Sequence, residues 1–149
     1  MVTMLPVQVS EQWDMLRPVI QKSLPVRPFE DQNRMANILT SILGGRLSVH
    51  IFGFPQETGK VIPAAIVTTG KVIDVDSIYE DLLIVSATGI GKMEMGDLTA
   101  GINLLMTYAK GLGCRNLVMY TEVAGIKKLL ERAGGRTGQT LVVLPVKEV

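Results

Sequence analysis

The stretch Tyr79–Leu144 opens with YEDLLIVS (Tyr79–Ser86) and closes with TLVVL (Thr140–Leu144), and its pattern decides the fold class. It reads strand, helix, strand, helix, strand. Tyr79–Ser86 is a strand candidate. Over Asp97–Leu112, the residues Leu98, Ile102, Leu105, Ala109 and Leu112 recur at spacings of four, three, four and three, which places them on one helical face. Gly113 follows as a left-handed stop, and Cys114 enters the next segment. Arg115–Thr121 (RNLVMYT) is the second strand. Val123–Ala133 is a second helix, with Ile126, Leu129, Leu130 and Ala133 on its apolar face and Gly134-Gly135 at its end. Thr140–Leu144 is the third strand. A helix between Tyr79–Ser86 and Arg115–Thr121 requires a crossover, so these two strands are expected to be parallel neighbours. A binding or catalytic site is expected where the first strand hands over to the first helix, across Ser86–Asp97.

Working back toward the N-terminus, Val2–Val9 reads as a first strand. Ser10 reads as the N-cap of a helix from Glu11, on which Trp13, Leu16 and Ile20 share a face and Pro18 predicts a kink or an early end. Pro25 and Pro28 mark a break. Glu30–Leu43 is a second helix, with Met35, Ile38, Leu39, Ile42 and Leu43 as its apolar stripe and Gly44-Gly45 at its end. Leu47–Phe54 and Val61–Thr69 form a hairpin around Glu57-Thr58-Gly59-Lys60, and Pro63 suggests an edge or a bulge. A meander of three antiparallel strands follows, ending in Tyr79–Ser86. The expected class is α/β (α+β): one domain over residues 1–149, with a mixed, mainly antiparallel sheet and helices on both faces.

At 149 residues, with 47% hydrophobic and 19% charged side chains, the chain can bury a substantial core and does not read as disordered. A net charge of +1 gives no reason to expect nucleic acid or an anionic membrane as partner, and 5% aromatic content disfavours a base-stacking surface. No apolar run reaches the ~18 residues of a membrane span, and no signal-peptide pattern opens the chain, so a cytoplasmic location is expected. One cysteine excludes an internal disulfide and a cysteine cluster for zinc.

Several residues carry chemistry in principle. Gly89-Ile90-Gly91-Lys92 suggests a phosphate loop. However, Ser86 stands where a Walker loop needs glycine, and Glu94 fills the third glycine place of a dinucleotide fingerprint, so a flexible strand-to-helix connection is the plainer reading. Glu80 and Asp81 can act as a base toward a substrate amine, or simply begin a strand facing solvent. His50 has no neighbouring ligand in sequence and is not expected to hold a metal. Cys114 reads as a small apolar residue rather than a nucleophile. Tyr108 and Tyr120 can reach between strands, although core packing is the ordinary role. Residues 72–100 hold six acids against Lys92, whereas Arg115–Val149 holds six Lys/Arg and three Glu. This asymmetry suggests either pairing with a protein partner or between copies, or simply a solvated face.

Two helices, three antiparallel strands, then strand–helix–strand–helix–strand resembles the GNAT superfamily of N-acetyltransferases. The likeness is carried by LLIVSATG (Leu82–Gly89), LLMTYAKGLGCRNLVMYT (Leu104–Thr121) and IKKLLERAGG (Ile126–Gly135). More narrowly, LGGRLSVHIFG (Leu43–Gly53) and YAKGLGCRNL (Tyr108–Leu117) resemble small acetyltransferase-like proteins of tailed phages. The resemblance implies an acetyl-CoA site whose pantetheine arm lies between the splayed strands and whose pyrophosphate meets the start of the helix at Met93, Glu94, Met95, Gly96 and Asp97. Against the family's Arg/Gln-x-x-Gly-x-Gly/Ala pattern, Met93 replaces the Arg/Gln, Gly96 keeps the first glycine and Leu98 replaces the second small residue. Glu94 and Asp97 add negative charge where phosphates dock. Leu130 stands at the position of the family's acid tyrosine, Gly134-Gly135 at its Gly-Phe, and Val123 at its asparagine. For a working enzyme the resemblance implies Glu80 as base, with Tyr120 as a second catalytic candidate, and a small-molecule amine as acyl acceptor. For a chain with a degenerate motif it implies a binding module or virion-associated part.

Overall fold

The computed structural model describes residues 1–26, 31–73, 78–138, 142, 144 and 146. Ten elements follow in order: β1 (Val2–Thr3), α1 (Pro6–Glu11), α2 (Trp13–Lys22), α3 (Arg34–Leu43), β2 (Leu47–Pro55), β3 (Val61–Ile73), β4 (Glu80–Gly89), α4 (Met95–Gly111), β5 (Leu117–Met119) and α5 (Ala124–Arg132). The sheet order is β1-β2-β3-β4-β5. The first three pairings are antiparallel, and β4–β5 is parallel, with Leu82 opposite Leu117 and Ile84 opposite Met119. The expected class, a mainly antiparallel mixed sheet with helices on both faces, is the observed one.

Alternation along β2 sends neighbouring side chains to opposite faces. Val49 packs with Ile66 against Val9, Leu16, Ile20, Met35, Ile38 and Ile42 from α1, α2 and α3. Phe52 and Phe54 pack on the other face with Val67, Ile84 and Leu105, beneath α4. The fully buried Val9, Leu16 and Val49 mark the closed centre of the first layer.

The N-terminal boundaries differ from expectation. The strand expected over Val2–Val9 is only Val2–Thr3, because Pro6 starts a helix. Proline lacks the N–H that the first turn would leave unpaired, and its φ is already helical. The Leu5 N–H donates to Gln8 Oε1 at 2.8 Å and closes that turn. Ser10 therefore lies inside α1 rather than capping it, and the break falls at Gln12 rather than at Pro18. α2 runs through Pro18 because that residue is exposed, so solvent can satisfy the carbonyl left without its partner. Helix α3 starts at Arg34; Glu30, where it was expected to begin, lies outside the described residues.

The hairpin is as expected, and Pro63 sits at a bulge. Phe52 faces Ala65 but Gly53 faces Pro63, leaving Ala64 as the extra residue. A second bulge lies between β3 and β4: Thr68 faces Ser86 and Thr69 faces Ile84, leaving Val85 over. Helix α4 starts at Met95 rather than Asp97, and Gly113 adopts φ 76° as its left-handed stop. Leu105 and Ala109 are buried, whereas Leu112, expected on the same face, is exposed. β5 is shorter than Arg115–Thr121. α5 buries none of its residues among those described, so the expected burial of Ile126, Leu129, Leu130 and Ala133 is not observed. In the strand expected over Thr140–Leu144, Thr140, Leu141 and Val143 lie outside the described residues, while Val142 and Leu144 are exposed and outside any element.

Candidate functional site

Strand β4 connects the groups singled out in the sequence, and its two halves differ. Its first half is zipped to β5. The Leu82 N–H donates to Asn116 O at 2.9 Å, and the Arg115 N–H donates to Glu80 O at 2.8 Å. Asp81 is buried, and its Oδ1 accepts from Asn116 Nδ2 at 2.9 Å. The Arg115 guanidinium lies 4.2 Å from the Tyr79 ring centroid. Lys71 Nζ meets Glu80 Oε2 at 2.6 Å, and that carboxylate holds the lysine above its usual pKa.

Among the described residues, β4–β5 pairing stops at Ile84–Met119, yet β4 continues to Gly89 alongside β3. The two parallel strands therefore part, and the bulge at Val85 sits where they do. The parting follows from the short β5: Tyr120 already lies beyond the strand and is 58% exposed.

The connection from β4 to α4 is tied down rather than open. The N–H groups of Ile90 and Gly91 both donate to the bulge residue's carbonyl, Ala64 O, at 2.9 and 3.2 Å. A Cβ on Gly91 would stand 3.0 Å from Pro63 O, so a larger residue would push this backbone apart by a few tenths of an ångström. The Met93 methyl would lie 3.3 Å from a Cβ at Gly89, and Met93 packs on the Phe52 cluster as a gap-filler. Met95 is exposed. At the start of α4 the Glu94 N–H donates to Asp97 Oδ2 at 3.0 Å, and the Asp97 N–H donates to Glu94 O. A carboxylate thus already occupies an anion position at this helix N-terminus.

Three separate places result for the residues singled out in sequence. Met93–Asp97 lie past the far end of β4. Tyr120 lies at the parting of β4 and β5. Glu80 lies at the zipped end, nine residues before Gly89, or about 30 Å of extended strand. The structure does not bring Glu80 together with the loop.

His50 is fully buried on the α4 face. Its Nδ1 lies 2.8 Å from Thr3 Oγ1, its Nε2 lies 2.7 Å from Thr69 Oγ1, and its ring meets Tyr108 edge-on at 4.7 Å. Burial, with a smaller contribution from the terminal ammonium, lowers its pKa to about 4. It is a neutral structural cross-link. Cys114 is half-buried, and burial raises its thiol pKa, which fits an inert thiol. No group of His, Cys, Asp or Glu among the described residues can hold a metal ion. No helix among them is long and apolar enough to cross a membrane.

An open groove of about 610 Å³ lies on the other side of the same connection, between Pro18, Val19 and Lys22 of α2 and Thr88–Gly91. The Thr88 hydroxyl anchors its wall, 2.7 Å from Val19 O and 2.6 Å from Ser23 Oγ. Sequence reasoning missed this groove. Lys22 and Thr88 stand 66 positions apart, and nothing local links them.

No protein-family model matches the chain, and no curated protein sequence matches it significantly. Solved structures do match over nearly its whole length. An aminoglycoside acetyltransferase from an uncultured soil metagenomic sample is 13% identical, with a TM-score of 0.65 over 98% of this chain and 97% of that one. A predicted acetyltransferase with acetyl-CoA from Clostridium acetobutylicum is 12% identical, with a TM-score of 0.63 over 97% and 94%. A GNAT family acetyltransferase from Staphylococcus aureus is 13% identical, with a TM-score of 0.62 over 97% and 98%. The strand order, the parallel β4–β5 pair that parts after three residues, and these likenesses together give the chain the fold of the GNAT acetyltransferases.

Proposed function

We propose that this chain is a GNAT-fold binding module with an eroded acetyl-CoA site, rather than an efficient acetyltransferase. The observation that carries this reading is the Asp97 carboxylate on the Glu94 N–H. The start of α4, where a pyrophosphate would gain from free N–H groups and the helix dipole, already holds a negative charge of the chain's own. Glu94 adds a second carboxylate, and the Ile90 and Gly91 N–H groups are committed to Ala64. An incoming phosphate meets repulsion and few donors. Met93 in place of Arg/Gln and Leu130 in place of the acid tyrosine support the same reading.

A protein partner or a second copy is the binding target we favour. Leu104, Met106, Tyr120 and Val123 are exposed on α4 and after β5. The likeness of Leu43–Gly53 and Tyr108–Leu117 to tailed-phage proteins supports a phage origin, with a role in the host cytoplasm or as a virion-associated assembly part.

The second reading, an acetyl-CoA-dependent N-acyltransferase on an unidentified amine, is favoured by the parting of β4 from β5 at the Val85 bulge. That opening suits an extended pantetheine arm. In this reading Met93, Glu94, Met95, Gly96 and Asp97 supply the cofactor loop and Tyr120 lies nearest the reacting end. Glu80 acts as base only if substrate reaches the zipped end of β4. Titration calorimetry with acetyl-CoA separates the two. The binding-module reading expects no saturable heat and no rise in melting temperature at millimolar acetyl-CoA. A stoichiometric complex of micromolar affinity overturns it.

A further inference from the structure

The groove between α2 and the end of β4 has a chemistry unlike that of the α4 start. Among the described residues, Lys22 is the only ionisable side chain lining it. Among the described residues no carboxylate stands within ion-pair distance of Lys22. The remaining side-chain walls are mostly apolar: Pro18, Val19 and Ile90. The one hydroxyl among the described lining residues, that of Thr88, is already engaged by Val19 O and Ser23 Oγ.

These donors distinguish between anions. A phosphate is held by several N–H groups converging on one point. Here the run Gly89-Ile90-Gly91-Lys92 looks suited to that task, but both interior N–H groups point into Ala64 O. A single ammonium acts as a point charge toward either anion, and the apolar wall of Pro18, Val19 and Ile90 is what favours one carboxylate on a compact aliphatic body. The groove is open to solvent and has a volume of about 610 Å³, room for a small molecule lying along its apolar wall. The wall is also preorganised, because Thr88 ties β4 to the last turn of α2 and Gly91 is held against Pro63.

We propose that this groove binds a small molecule carrying one carboxylate and an aliphatic body, with Lys22 making the charge contact. The site is independent of acetyl-CoA and goes beyond the reading above. If acetyl-CoA proves to bind, the module reading fails and the carboxylate preference stands. A lysine in the last turn of a helix can also serve only the helix's own carbonyls, and the test separates that role.

The experiment is a two-dimensional amide NMR titration of the full chain with N-acetyl-leucine, its neutral amide N-acetyl-leucinamide, and inorganic phosphate. N-acetyl-leucine is expected to shift the amides of Lys22, Thr88, Gly89 and Gly91. Its affinity should exceed that of the amide by about tenfold, as one charge-assisted contact gives. Lys22→Met should bring the two ligands to equal affinity while the rest of the spectrum stays unchanged. Lys22→Arg should keep the preference. Equal binding of acid and amide to the native chain, absence of shifts at the groove, or tighter binding of phosphate than of N-acetyl-leucine each overturns the proposal.

Discussion

The two ends of β4 are built in opposite ways. At Glu80–Ile84 the strand has partners on both edges, and Asp81–Asn116, Lys71–Glu80 and Arg115–Tyr79 join it to its neighbours. At Val85–Gly89 it keeps only β3 among the described residues, and the chain beyond is held by two N–H groups on one carbonyl. A sheet that is closed along its whole length has no room for a ligand. One that is closed at one end and parted at the other offers an opening whose walls are held by the closed end. The groove and the capped start of α4 both lie at the parted end.

That contrast can be tested by perturbing each end. The largest effect is expected from Leu82→Ala at the zipped end. Leu82 is 1% exposed, and its truncation should cost about 2–5 kcal/mol of unfolding free energy, read as a lower urea midpoint. A loss well under 1 kcal/mol would mean that this end is not the rigid one.

Acid should act on the same half through His50, whose partner Thr69 faces Ile84. Its folded pKa of about 4 lies below the ordinary histidine value of 6.5, so the unfolded chain binds the proton first as pH falls. Stability from this group is complete above pH 6.5, declines between pH 6.5 and 4, and changes no further below that. The whole decline amounts to about 3 kcal/mol. Melting scans of the native chain and of His50→Gln across that window check it. A slope that survives the substitution would assign the acid sensitivity elsewhere.

The smallest effect is expected at the parted end. Thr88→Val removes the hydroxyl that meets Val19 O and Ser23 Oγ and should cost about 1 kcal/mol. Amide exchange should quicken at Ile90 and Gly91 but not at Leu82. Equal quickening at both sites would show that β4 behaves as one unit.

Where the apolar period was strong, the sequence was legible. The helix around Leu105 and Ala109, the hairpin around Gly59, the bulge at Pro63 and the parallel crossover from β4 to β5 all follow from local pattern and connection rules. The N-terminus is easily misread because Leu5, Val7 and Val9 alternate like a strand, while Pro6 acts as a helix start. α5 shows the opposite limit. Its stripe Ile126, Leu129 and Leu130 states which side is apolar but not what covers it. The junction Ser86–Asp97, singled out as the candidate site, lies beyond the last β4–β5 pair. Its chemistry was not legible, because charge counts along the chain cannot say that Asp97 turns back onto the Glu94 N–H.

The layers of this protein follow largely from local pattern. Side-chain period and glycine stops are local, and over most of the chain they select helix or strand and the face that is apolar. Which donors remain free depends instead on how the folded chain brings distant residues together. The fold committed the Ile90 and Gly91 N–H groups to Ala64, placed a carboxylate at the start of α4, and set Lys22 across a groove from Thr88. Hydrogen bonds and cavities are made between residues far apart in the chain, so no reading of neighbours along it can supply them.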